Sequence, residues 1–261
     1  MRPLLTEAQR DFYQTNGFVE IDNLLTSAEV AALTHAMDEA MNAAGPIDRA
    51  IRSATDGPYY RVLNQKVNAW RDHGGIAQFS CAAPLAEMAR ELAGVEGIRL
   101  FHDHILWKMP GDSKPTPWHQ DMPFWPLDEH RALSFWITVD DVDETNGCMM
   151  FVPKSQAAGK LKAISLVEPE DLMEYAKEAG IVPEKPIIAR LRAGSCTVHS
   201  GLTFHYAHAN HTANPRRVLA LIYIPDGTIT LGARMSSLMA PASPPVRRFG
   251  VVCFRSWPNR G

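Results

Sequence analysis

Cysteine is scarce: Cys81, Cys148, Cys196 and Cys253 are the only four in 261 residues. They are too scattered for a disulfide scaffold and form no Cys-x-x-Cys pair, so a reduced, cytoplasmic protein is expected. Positive charge is not in excess, since 26 Lys and Arg against 29 Asp and Glu give a net charge of −3. With no basic run either, neither nucleic acid nor an anionic membrane surface is an expected partner. No apolar stretch approaches the roughly 18 residues of a membrane span. Residues 1–10 turn polar at Thr6, so neither an export signal nor membrane insertion is expected. Internal repeats, low-complexity tracts and domain linkers are also missing. The partner expected after these exclusions is a small molecule. At 46% hydrophobic residues, a chain of this length is expected to fold as one domain around a large core.

The first third of the chain reads as helical. Thr6 is a candidate cap for a helix ended by Asn16-Gly17, and Thr26 or Ser27 caps a second that runs to about Ala44 before Gly45-Pro46. A third has Leu85, Met88, Ala89 and Leu92 on one side and Gly94 as its stop. Residues 47–75 read as connecting segments. From Ile98 the pattern changes to short apolar runs separated by Gly, Pro and Asn: 98–108, the segment around His119, 133–139, 148–152, 187–191, 195–199 and 218–224. A short helix is expected over 168–179. Many short strands after helices point to an all-β core with flanking helices, a double-stranded β-helix of the jelly-roll, cupin-like kind. The expected division is N-terminal helices over about 1–95, the jelly roll over about 96–227, and a covering tail from Thr228.

The chemistry concentrates in two places. In Pro117-Trp118-His119-Gln120-Asp121-Met122-Pro123, an extended strand would project His119 and Asp121 to one side, where they can share a metal ion. Four of the ten histidines fall in 199–211, namely His199, His205, His208 and His211. One of them would complete the two-histidine, one-carboxylate face that leaves positions open on Fe(II). A zinc site of three histidines is the competing arrangement, but it leaves Asp121 idle. Arg216 and Arg217 point to opposite sides if they lie on a strand. Trp107, Trp118, Phe124 and Trp125 either wall a substrate pocket or belong to the core. The acidic run from Asp140 to Glu144 reads as a solvated turn.

These motifs, in this order, resemble the phytanoyl-CoA dioxygenase family of iron(II)- and 2-oxoglutarate-dependent oxygenases. The likeness runs from residues 5–19, through Trp118-His119-Gln120-Asp121 and Trp136–Gly147 with Val152-Pro153-Lys154-Ser155, to His205, Asn210 and Arg216. It implies His119, Asp121 and His205 as ligands of Fe(II), and Arg216 as the anchor for the far carboxylate of 2-oxoglutarate, with dioxygen as the other cosubstrate. A guanidinium fork suits that carboxylate because it donates two parallel charge-assisted hydrogen bonds. By position, Trp136, His104 and Lys66 fall where the family contacts 2-oxoglutarate. One departure is Tyr206-Ala207-His208-Ala209 in place of the family's usual Gly-Ser-Gly-Pro.

The expected activity is hydroxylation of an unactivated C–H bond in an apolar small metabolite, with release of succinate and carbon dioxide. Desaturation, epoxidation or ring closure are alternative outcomes of the same chemistry. Halogenation is not expected, because related halogenating enzymes carry a small residue where Asp121 stands. Two competing classes are a non-catalytic cupin-like binding domain, which should have lost a ligand or the arginine, and a metal-dependent hydrolase, which gives Arg216 no task.

Overall fold

A computed structural model describes residues 5–43, 50–51, 63–111, 113–165, 171–178 and 180–229. Its helices are α1 (Glu7–Asn16), α2 (Ser27–Asn42), α3 (Gly74–Ser80), α4 (Ala83–Ala93) and α5 (Leu172–Glu178). Its strands are β1 (Phe18–Ile21), β2 (Ala50–Ile51), β3 (Leu63–Val67), β4 (Ile98–Lys108), β5 (Thr116–His119), β6 (Leu133–Thr138), β7 (Met149–Phe151), β8 (Ile187–Ala189), β9 (Cys196–Ser200), β10 (His205–Ala207) and β11 (Arg216–Pro225). The strands form two antiparallel sheets, in the orders β1-β9-β6-β11-β4-β3-β2 and β5-β10-β7-β8. This is the jelly roll expected from the sequence.

Local chemistry accounts for the helix ends. Thr6 with Gln9 and Thr26 with Glu29 each form a reciprocal capping box, and Gly17 and Gly94 close α1 and α4 in the left-handed conformation. The larger sheet has two differently used faces. Leu133, Phe135, Ile137, Leu219, Leu221, Tyr223 and Ile105 point to the outer face and share one core with residues of α1 to α4. The alternate residues point inward, where Trp136 and Val218 meet Met149, Phe151 and Ala207 of the smaller sheet. Outside the smaller sheet, α5 contributes Leu172 and Ala176 to a separate cluster with Val152, Ile164 and Phe204.

Two expectations differ from this structure. The segment read as connecting, 47–75, contains β3 and the first two residues of α3, while residues 47–49 and 52–62 lie outside the described part. Both elements are masked at the sequence level: Gly74-Gly75 opens α3 against helix propensity, and Gln65-Lys66 interrupts the apolar pattern of β3. A ring nitrogen starts α3 instead, His73 Nδ1 accepting from the Ile76 amide at 3.4 Å. Of the helix expected over 168–179, residues 168–170 and 179 lie outside the described part; Asp171 is not helical, and the helix described is Leu172–Glu178. Beyond Thr228 and Ile229 the expected covering tail, with Cys253, lies outside the described residues.

Gly17 has φ +78°, and a Cβ there would meet Gln156 Oε1 and Thr203 Oγ1 at 2.5 Å each. Gly17→Ala is therefore expected to lower unfolding stability by more than about 1 kcal/mol, measured by denaturant titration. Asp103, on the outer face of β4, is buried and accepts from Ser80 Oγ at 2.7 Å and the Trp70 amide at 3.0 Å. Burial pushes its carboxyl up from 3.8 to about 6. A raised folded-state value favours folding below the unfolded value and loses that benefit as pH rises through about 6. Between pH 7 and 4, Asp103→Asn is expected to gain less stability than the parent chain on acidification, as paired melts at the two pH values would show.

Candidate metal centre

The strand β5 ends at His119, and Asp121 is not part of it. Asp121 has φ −74° and ψ −39° and starts a 3-10 turn over Met122–Phe124. The two side chains thus meet because the chain turns, a correction to the extended-strand expectation. Two anchors set that turn. The Met122 amide donates to Gly201 O at 2.8 Å, and Gln120 Nε2 donates to Leu202 O at 2.7 Å and Gly159 O at 2.8 Å. His205 opens β10 directly opposite His119 in the ladder, so residues 86 apart in the sequence present their rings side by side, with centroids 4.0 Å apart.

Among the described residues, His119, Asp121 and His205 form a group whose possible ligand atoms all lie within 4.8 Å of one another. Asp121 Oδ1 is 3.6 Å from His119 Nε2 and 3.6 Å from His205 Nε2. His119 Nδ1 is 2.8 Å from Pro117 O and His205 Nδ1 is 2.9 Å from Thr203 O. A carbonyl can only accept, so each Nδ1 carries the proton and each Nε2 presents a lone pair to the shared space. Burial, with His119 close by, holds the His205 imidazole well below its ordinary value and hence neutral. Burial would raise Asp121, but the adjacent His205 and His119 rings and the hydrogen bond from His199 hold its carboxyl well below the usual range. Two imidazoles that turn Nε2 to the shared space, and a carboxylate held in its ionised form, are the donor set a divalent cation needs.

Residues opposite each other in a ladder point to the same side of the sheet. One inward row is therefore His102, Ile222, Ser134 and His199, and the next is His104, Ala220, Trp136 and Thr197. Lys108 and Arg216 close the inner face at the far end. Arg216 is 2% exposed and lies over the Trp136 ring at 5.0 Å, yet its Nε and Nη1 have no hydrogen-bond partner. Burial pushes its guanidinium down to about 10, still charged at neutral pH. A buried cation with open donors is costly unless an anion meets it. A carboxylate there fits what the cavity lacks. Arg217 points the other way, to Asp140 at 2.8 Å and Asp38 at 3.4 Å, so Asp140 is an ion-pair partner and not simply part of a solvated turn.

His102 and His104 also face this space, rings 4.6 Å apart, and His102 Nδ1 and His104 Nε2 are buried without partners. Burial lowers His104 to about 4 and His102 well below its usual value. Lys66 departs from expectation. It pairs with Ile105 in the ladder and so takes the outer face, where Nζ donates to Ala40 O at 2.6 Å and Ala43 O at 3.2 Å at the end of α2. Of the aromatic wall, Phe124 stays edge-on to His119 at 6.2 Å, and Trp125 stands 6.4 Å from His102. Trp107 packs on the outer core, and Trp118 lies tilted against Tyr206, ring centroids 5.4 Å apart, outside the smaller sheet. His208 is occupied at Cys148 O, 3.1 Å from Nδ1. Ala207 is buried between the sheets. Ser134 is not singled out by the sequence and His199 is there only one of four candidate histidines, yet both hold Asp121, at 3.0 and 3.3 Å. Their alternation with Trp136 and Thr197 on neighbouring strands was the available signal.

The sequence profile described as "Phytanoyl-CoA dioxygenase (PhyH)" matches residues 13–218. The chain belongs to the phytanoyl-CoA dioxygenase family. It is similar to a methylphosphonate hydroxylase of Gimesia maris, 26% identical over 237 residues that cover 85% of this chain and 82% of the relative. In fold it is similar to EctD from S. alaskensis, solved with 2-oxoglutarate and 5-hydroxyectoine, at TM-score 0.75 and 18% identity over 94% of this chain and 86% of that one. It is likewise similar to the alpha-ketoglutarate-dependent epimerase SnoN from nogalamycin biosynthesis, at TM-score 0.74 and 24% identity over 93% of each chain.

Because Lys66 holds the end of α2, Lys66→Met is expected to lower the melting temperature while leaving 2-oxoglutarate affinity unchanged, as calorimetry on the metal-loaded protein would report.

Proposed function

We propose that this iron(II)- and 2-oxoglutarate-dependent oxygenase hydroxylates an unactivated C–H bond of a small, largely apolar metabolite, releasing succinate and carbon dioxide. The observation that carries the reading is Arg216: a buried guanidinium with open donors, on the same inner face as the residues that hold Asp121. In this reading His119 Nε2, Asp121 and His205 Nε2 hold the ferrous ion, and Arg216 receives the far carboxylate of 2-oxoglutarate. Ferrous iron and 2-oxoglutarate, when bound, supply with dioxygen the oxidising power that breaks the C–H bond.

The chain's own groups do the positioning. Trp136 lies under the Arg216 guanidinium and fixes where its fork points. His104 sits in the same row as Trp136, beside the path from Arg216 to Asp121, and offers a neutral imidazole to the cosubstrate. Phe124, Trp125 and Met122 provide apolar surface close to His119 and His102 that excludes water and holds a hydrocarbon part of the substrate. The open nitrogen of His102 favours a substrate that also carries a hydrogen-bonding group. Asp121 occupies the position where halogenating relatives have a small residue, which supports hydroxylation, as does the hydroxylated product named in the EctD structure. Buried Cys148 and Cys196, both free thiols, suit a reducing cytoplasm.

Purified protein with a metabolite panel is expected to release succinate only when Fe(II) and dioxygen are both present; release without oxygen would point to a hydrolase instead. His119→Ala and Asp121→Ala should each abolish that release without unfolding the chain, and retained activity would mean other ligands. Loss of a charge-assisted fork costs about 2–3 kcal/mol, so Arg216→Ala is expected to raise the 2-oxoglutarate KM by roughly 100-fold.

A further inference from the structure

Asp121 uses its two oxygens differently. Oδ1 faces both imidazoles, 3.6 Å from His119 Nε2 and 3.6 Å from His205 Nε2. Oδ2 is turned to the larger sheet, where it accepts from Ser134 Oγ at 3.0 Å and lies 3.3 Å from His199 Nε2. The two donors come from adjacent strands and stand opposite each other in the ladder, Ser134 in β6 and His199 in β9. Both are buried, so neither hydrogen bond is diluted by solvent. A carboxylate oxygen has two lone-pair directions, and on Oδ2 both are taken.

We infer that Ser134 and His199 are positioning residues that restrict Asp121 to one metal-bound oxygen, and so keep a coordination position free for dioxygen. The inference rests on the proposed ligand set. A ferrous ion held by two imidazoles and one carboxylate oxygen has a face left over. Two of those positions suit the chelating end of 2-oxoglutarate and one suits dioxygen. If Asp121 chelated through both oxygens, the cosubstrate would fill the remainder and dioxygen would find none. Donors on Oδ2 prevent this twice over: they occupy its lone pairs, and they fix the carboxylate plane with Oδ1 forward. The accepting carboxylate requires His199 to carry its proton on Nε2, and its Nδ1 has no partner, so no competing hydrogen bond draws the ring away. The nearby Phe151 and His205 rings, with centroids at 5.3 and 4.5 Å, pack against His199 and limit its rotation.

Cobalt(II) in the full chain serves as the spectroscopic and crystallographic probe. The cobalt-loaded parent protein is expected to show His119, His205 and Asp121 Oδ1 in bonding range and Oδ2 outside it. In Ser134→Ala/His199→Phe, both Asp121 oxygens should come into range, with a weaker visible absorption band as coordination rises. Each single replacement is expected to raise the cobalt dissociation constant about 10-fold or more. Ser134→Thr and His199→Gln, which keep a donor, should restore it, and the metal-free melting temperature should stay near that of the parent. A parent structure with both oxygens on cobalt, or single variants that bind cobalt as the parent does, would overturn the inference while leaving the ligand set intact. Cobalt seated on other residues would overturn the ligand set itself and this inference with it.

Discussion

A carboxylate ionised inside a sheet sandwich sets the terms for the rest of the molecule. Burial alone would raise the Asp121 carboxyl, and the surrounding imidazoles and hydrogen-bond donors hold it well below its ordinary value. Holding it requires residues from β5, β6, β9 and β10 to converge on one point. No single strand pair can do this. A closed pair of sheets does, because the inner faces of both point at the same narrow volume. The jelly roll is therefore the device that makes the charge cluster tolerable, and the outer helical layer supplies the apolar burial that keeps the sandwich shut.

Within that volume, chemistry is sorted along the strands. The row level with Asp121 carries His102, Ser134 and His199; the next carries His104 and Trp136; the far end carries Lys108 and Arg216. Lys108 is also buried, and its Nζ donates to Ala207 O at 3.0 Å and to His208 O, bracing the chain as it leaves β10. Negative charge belongs at one end and positive charge at the other, with neutral imidazoles and an indole between. A short, doubly negative chain molecule suits such a gradient when a cation sits at the acidic end.

Much of this was legible in the sequence because caps and short motifs are local. Thr6, Thr26 or Ser27 as caps and the glycines at 17 and 94 mark their helices, and the apolar run of β4 has the limits expected of it. Alternation also separates Arg216 from Arg217 once β11 is recognised as a strand. What stayed hidden depends on tertiary context. Asp121 reaches its place through a turn set by carbonyls of Gly201 and Leu202, far away in the chain. Lys66 has the right residue type at a plausible position, but strand register turns it to the opposite face. Ser134 and His199 look ordinary in isolation, and only the ladder brings them to the same oxygen.

The neighbouring arginines at the start of β11 show how narrow the tolerance is. Arg216 enters the sandwich, while Arg217 locks onto Asp140 and Asp38 beneath the helical layer. Because side chains alternate, sliding β11 by one residue would exchange the two guanidiniums and turn Leu219, Leu221 and Tyr223 away from the helices. The ion pair on the helix side of the sheet thus acts as a registration pin for the cavity on the other side, coupling correct pairing of one long strand to the competence of a site whose charged end that strand supplies through its first residue.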